Sequence, residues 1–121
     1  IAYKAVLRMQ EEFGCAPEDI CAAIGPCIGR CCFEVGPEVP DAMREALGAD
    51  AEAAIEPRGE KAHVDLKLLN RIWLQKAGVQ VIDVSPDCTM CHPDRFWSHR
   101  VTGGARGSQA AIIRLKGGAA Q

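Results

Sequence analysis

Residues 22–36 read AAIGPCIGRCCFEVG, and the reading of this stretch decides the fold. The apolar run 20–24 leads into it and stops at Gly25-Pro26, the pattern of a short buried strand closed by a turn. Cys27, Cys31 and Cys32 follow within six positions, and Gly36-Pro37 then opens a helical pattern. Taken by spacing alone these cysteines suggest a metal or redox centre. Their surroundings, a Gly-Pro turn between a strand and a helix, suggest packing or pocket-lining thiols instead, with a metal site kept as the alternative.

Upstream, Ala2, Ala5, Val6, Met9 and Phe13 share one face at helical spacing, and Gly14 is placed to stop that helix. Downstream, Val39, Met43 and Leu47 give the second helix an apolar stripe, with Pro37 at its first position and Gly48 after its end. Residues 53–64 are strand-like on both sides of a turn at 57–60, Pro-Arg-Gly-Glu. Asp65 is a suitable N-cap for a third helix with Leu66, Leu69 and Trp73 inward and Gly78 closing it. Residues 79–84 read as a β-branched strand, 85–95 as a polar loop. Residues 96–101 and 109–115 read as two further strands joined by a glycine-rich connection, before a Gly/Ala-rich tail from 116 to 121. Helices alternating with strands predict a mixed α/β fold with layered packing.

The 121 residues allow one domain. A net charge of −2 offers no general attraction to nucleic acid or an acidic membrane surface, and no apolar run is long enough to span a bilayer. The expected partners therefore exclude nucleic acid and membrane. Seven cysteines, an odd count partly inside apolar runs, argue against a disulfide-stapled secreted domain and for a reducing cytoplasm. The chain opens on Ile1 inside an amphipathic pattern, with no secretion signal in view, which suggests a fragment of a longer protein.

Three motifs invite chemistry. Residues 88–92 match CxxCH, the pattern of covalent haem attachment, but haem also needs an axial pocket and normally export. Cys88 and Cys91 have the spacing of a zinc half-site, which Cys27, Cys31, Cys32 or His92 could complete. The Cx3CC spacing of the first group is not a knuckle, so free thiols remain the alternative. Residues 98–108, SHRVTGGARGS, set Ser98, Arg100 and Arg106 around glycines. Glycine backbone can approach an anion and arginine binds phosphate bidentately; a solvated hairpin is the equally weighted alternative. A lone histidine such as His63, beside a strand end, reads as a packed residue.

Four stretches in order and spacing carry a resemblance: AIGPCIGRCCFEVGPEV, HVDLKLLNRIWLQKAGV, the CT of DCTMC, and FWSHRVTGGARGSQAAII. Together they resemble the C-terminal half of the YfiH-type family, called multicopper polyphenol oxidoreductases or laccases and also purine nucleoside phosphorylases. The resemblance implies a layered α/β sandwich with a mixed sheet, like a toxin deamidase, here truncated at its N-terminus. Residues 1–121 would be the C-terminal part of a single such domain, with 116–121 a flexible tail.

The implied activity is phosphorolysis of adenosine, inosine and methylthioadenosine, with adenosine deamination, so the implied partners are purine nucleosides and phosphate. The implied zinc is held by a His, a Cys and a second His in QxHG, DC and HAGWRG segments. The resemblance places all three upstream of the helix that corresponds to residues 1–13, and the present cysteines and histidines do not map onto those ligands, so no catalytic or metal residue is matched and the chain is expected to be inactive alone. Ser98, Arg100 and Arg106 become the anion- or substrate-proximal candidates, with the turn at 25–27 able to bring backbone near a ligand. A truncated sheet would expose an edge through which the chain could self-associate. Two rivals stand: a non-enzymatic zinc-binding module using Cys27, Cys31, Cys88 and Cys91, and a copper-dependent polyphenol oxidase. Three histidines are few for the latter.

Overall fold

The structure is a computed structural model and describes residues 1–116. Helix α1 (Ala2–Phe13) leads through a short 3-10 turn (Pro17–Asp19) to strand β1 (Cys21–Ile24). A loop connects it to β2 (Glu34–Val35) and helix α2 (Glu38–Leu47), followed by a 3-10 segment (Gly48–Ala54). Strands β3 (Ile55–Arg58) and β4 (Lys61–Val64) form a hairpin, helix α3 (Leu66–Lys76) crosses back, and β5 (Val81–Val84) follows. A short helix α4 (His99–Thr102) comes last.

Two sheets result. β1 and β5 pair in parallel, in register from Cys21↔Val81 to Ile24↔Val84. β2, β4 and β3 form an antiparallel sheet in that order. A parallel pair cannot be closed by a hairpin, so everything between β1 and β5 acts as its crossover, and α3 is the element that returns the chain. Helix α3 packs against α1, β1 and the Gly48–Ala54 segment. It therefore serves two cores. Leu66, Leu69, Ile72 and Trp73 pack onto a cluster built on Val35, Met43, Leu47, Ile55 and Val64. Leu74 joins Val6, Ile20 and Val79 in the second cluster under the parallel pair. Tyr3 meets Trp73 edge-on at 5.7 Å, linking α1 to the helix. The mixed α/β fold read from the sequence is the observed one, with both parallel and antiparallel pairing.

The local signals act as their chemistry requires. Gly14 ends α1 in the left-handed region at φ 66°, with its N–H bonded to the Gln10 carbonyl. Asp65 caps α3 by accepting from the Leu68 N–H at 3.0 Å.

Four expectations need correction. Residues 21–24 are a half-buried strand rather than a fully buried one, because the β1–β5 pair has a helix-covered face and an open one, leaving Val81 exposed. The hairpin turn is at Gly59-Glu60; Pro57 and Arg58 belong to β3, an edge strand where proline's missing N–H is tolerated. Pro37 occupies the cap position of α2, one residue earlier than expected. Finally, neither 96–101 nor 109–115 is a strand. Ser98 accepts from the Val101 N–H and nucleates α4 instead. Residues 109–115 find no partner strand among the described residues, and a lone strand has nothing to satisfy its ladder; Ile112 and Leu115 lie exposed. The tail expected from residue 116 lies, beyond Lys116 itself, outside the described residues.

Gly78 marks the tightest point of the α3–β5 connection. Its φ is +98°, and an added Cβ would stand 2.8 Å from the Pro17 Cβ. Gly78→Ala is expected to cost about 1–3 kcal/mol from backbone strain and clash, lowering the urea midpoint with the slope unchanged. Gly59→Ala, also at positive φ but with nothing within 4 Å of its added Cβ, should cost less. Equal midpoints for the two variants would show that the Pro17 contact is absent.

Candidate functional site

Beyond its last ladder pair the parallel sheet does not separate at once. The Ser85 N–H donates to the Ile24 carbonyl at 2.8 Å, and the Thr89 N–H donates to the Cys27 carbonyl at 3.1 Å. Cys27 and Cys88 form a further parallel bridge. Two loops are thereby held side by side past the C-terminal ends of β1 and β5, the end at which open α/β sheets bind ligands.

On one side of this seam lies a cavity of about 450 Å³. Ser98, Arg100 and Arg106 all line it, together with Cys27, Phe33 and Trp97. Arg100 stacks over the Phe33 ring at 5.1 Å and donates from Nη1 to the Glu34 carbonyl at 2.9 Å. Arg106 donates from Nη1 to the Gly107 carbonyl at 3.0 Å. A guanidinium has five N–H donors, so an anion can be bound beside either contact. The buried Ser98 hydroxyl accepts from Val101, which leaves its own O–H as a donor. Gly107 is in close contact with the Trp97 indole; an added Cβ would stand 2.8 Å from Cε2. Pro26, Cys27 and Ile28 bring the Gly-Pro turn to the same cavity. Trp97 and Phe33 are the wall residues that sequence reasoning passed over. Trp97 falls in the stretch 96–101 expected to be a strand and Phe33 in the connection between strand and helix, and nothing in their spacing distinguishes a cavity wall from a core.

On the other side of the seam, the sulfurs of Cys31, Cys32, Cys88 and Cys91 lie within 4.8 Å of one another. Cys31 and Cys91 are 3.5 Å apart, and Cys32 and Cys91 3.4 Å. Three residues of the four-cysteine set considered from the sequence are therefore together, with Cys32 where that set had Cys27. The Cys27 thiol donates to the Ile28 carbonyl at 3.4 Å, and burial pushes its pKa up. Burial also pushes up the Cys31 and Cys32 thiols, with hydrogen bonding to Cys91 next in importance. Burial acts in the same sense on Cys88 but is outweighed. The Gly29 N–H, donating at 3.2 Å, the N–H groups of Cys91 and Met90 and the Cys31 thiol bring Cys88 down to about 6. Four convergent thiols can hold a soft metal ion.

The histidines do not join this group. His63 is buried on β4 and its Nδ1–H donates to the Arg30 carbonyl at 2.6 Å, the packed role expected of it. Among the described residues no cluster combines imidazole with thiolate, so the His–Cys–His zinc set implied by the resemblance is not matched. Nor is the imidazole-rich donor set of a copper oxidase.

The family described as multi-copper polyphenol oxidoreductase laccase matches residues 1–116. Purine nucleoside phosphorylase LACC1 of Homo sapiens is 33% identical over 122 residues, covering 96% of this chain and 28% of that protein. Purine nucleoside phosphorylase YlmD of Geobacillus stearothermophilus is 40% identical over 116 residues, covering 93% and 42%. The crystal structure of YlmD from Geobacillus stearothermophilus superposes with a TM-score of 0.83 at 39% identity, over 88% of this chain and 41% of that one. The chain thus spans less than half the length of the curated relatives it matches. By sequence and by fold, this chain belongs to the multi-copper polyphenol oxidoreductase laccase family, whose YfiH-type relatives include proteins named purine nucleoside phosphorylases.

Proposed function

We propose that this chain forms the C-terminal part of a purine nucleoside phosphorylase and contributes the phosphate-facing wall of its substrate site. The observation that carries this reading is the convergence of Ser98, Arg100 and Arg106 on one cavity at the C-terminal ends of the parallel strands. Phosphorolysis brings phosphate to the anomeric carbon of a nucleoside. The carbon–nitrogen bond breaks, and the purine leaves with negative charge developing on its ring. Two guanidinium groups and a hydroxyl donor can hold the phosphate in place, and Trp97 and Phe33 offer apolar surface for a ring. A cavity of about 450 Å³ is of small-molecule size. Adenosine, inosine and methylthioadenosine are the proposed substrates. The deamination of adenosine rests on one relative, named adenosine deaminase RL5, that is 37% identical over 103 residues.

The reading places the remaining catalytic groups on parts of the enzyme outside residues 1–121, so turnover is not expected of these residues alone. The cytoplasm is the proposed compartment, consistent with unpaired cysteines.

The test uses a family member of full length carrying this segment. Arg106→Ala is expected to raise the KM for phosphate roughly tenfold or more, the loss of a charged hydrogen bond, with a smaller effect on the KM for inosine. Arg100→Ala should do the same. Unchanged phosphate dependence in both variants would remove the anion role. The cavity wall has its own check in this chain. With Trp73→Phe leaving Trp97 as the sole tryptophan, Gly107→Ala should displace the indole and shift its emission. An unshifted spectrum would mean that Trp97 does not pack on Gly107.

A further inference from the structure

We propose that Cys31, Cys32, Cys88 and Cys91 form a structural tetrathiolate site for a zinc ion that clamps the loop after β1 to the loop after β5. The site stands apart from the reading of the cavity and uses none of its arginines.

Geometry is the first support. Four sulfurs around zinc at about 2.3 Å stand about 3.8 Å apart in a tetrahedron. Here all pairs already lie within 4.8 Å, two of them at 3.4 and 3.5 Å, so the thiols need only small adjustments to close on an ion. A single disulfide would require two sulfurs to approach to about 2.05 Å and would leave two of the four thiols unused.

The surrounding groups are the second support. The Gly29 N–H points at the Cys88 sulfur at 3.2 Å, the kind of backbone donor that orients and stabilises a metal-bound thiolate. Position 29 leaves little room for a side chain, since an added Cβ would stand 3.3 Å from both the Cys31 Sγ and the Cys88 Cβ. Four thiolates around a divalent ion carry two net negative charges. Arg30, Lys67 and Arg71 line the groove that borders Cys31 and Cys88, and Lys67 is buried there with Nζ donating to the Asp87 carbonyl.

Sequence separation is the third. The ligands come as two pairs close in sequence from segments about sixty residues apart, Cys31 and Cys32 from one and Cys88 and Cys91 from the other. An ion held by both closes a long loop, where a cross-link restricts the unfolded chain most. Binding would release the proton of each thiol that is protonated. A closed four-thiolate set is a structural zinc donor set, and four sulfurs within 4.8 Å of one another fit a single ion better than a multi-iron cluster, which holds its cysteines farther apart.

Metal analysis of the reduced 121-residue chain, purified without chelator, tests the site. One zinc per chain is expected, and cobalt substituted for it should show the visible bands of a tetrahedral thiolate site. Cys32→Ser and Cys91→Ser should weaken cobalt binding at least tenfold, whereas Cys27→Ser and Cys21→Ser should retain it. In the unmutated chain, zinc should protect Cys31, Cys32, Cys88 and Cys91 from alkylation while Cys15 and Cys21 react, which keeps the test independent of how the variants fold. A reduced chain that takes up neither zinc nor cobalt would overturn the proposal. So would metal retained by Cys32→Ser but lost by Cys27→Ser, or alkylation of the four cysteines unaffected by zinc.

Discussion

The parallel pairing of β1 with β5, carried past the strand ends by the Cys27–Cys88 bridge, is the constraint on which the rest of this structure depends. A parallel pair fixes direction as well as neighbour, so both chains leave the sheet at the same end. Along the strands the register is even. Beyond them one extra residue is taken up on the β5 side before Cys27 meets Cys88. That shift falls where Pro86 interrupts the ladder, a residue without an N–H to donate. The loops that follow are held by only a few backbone bonds, yet they carry the cysteines and much of the cavity wall.

The antiparallel sheet serves this arrangement from the side. β2 pairs with β4 for only two residues, but Phe33 just before it packs into the main core and accepts from the Val64 N–H. The loop after β1 is therefore pinned at both ends, by β5 at its start and by β4 at its finish. Between them Arg30 reaches the Ala53 carbonyl with its guanidinium, and its own carbonyl accepts from His63. A glycine-containing loop of this length would otherwise sample many conformations at considerable entropic cost. Here side-chain and backbone bonds from three elements narrow them.

Much of this was legible in the sequence, and for identifiable reasons. Gly14, Asp65 and the spacing of Val39, Met43 and Leu47 act locally, through φ, a cap bond and a helical period, so α1, α2 and α3 could be read without tertiary knowledge. Residues 96–115 could not. Their apolar runs suit a strand, but a strand exists only if a neighbour accepts its hydrogen bonds, and that is not a local property. The thiol cluster was half legible. CxxC spacing identifies Cys88 and Cys91, but the choice between Cys27 and Cys32 depends on a turn. The Cys32 and Phe33 N–H groups both bond to the Gly29 carbonyl, curling 29–33 so that adjacent cysteines reach the same partner. In an extended segment Cys31 and Cys32 would point to opposite faces.

The two candidate sites share a wall, and this makes them mechanically dependent on each other. Cys88 turns its sulfur to the thiol cluster, while the next residue, Thr89, faces the cavity. Across the seam Cys27 and Ile28 line the cavity, and Gly29, one residue on, donates to the Cys88 sulfur. The two adjacent backbones thus present thiols on one side of the seam and the proposed substrate's cavity on the other. A ligand that binds through charged hydrogen bonds needs its donors held within a few tenths of an ångström, and the Gly-Pro turn can drift unless the loop is anchored nearby. Anchoring by four thiols one residue away supplies that rigidity without placing a metal in the cavity. The cysteines of residues 22–36 then act on the cavity through the backbone they hold, with Cys27 alone lining it directly.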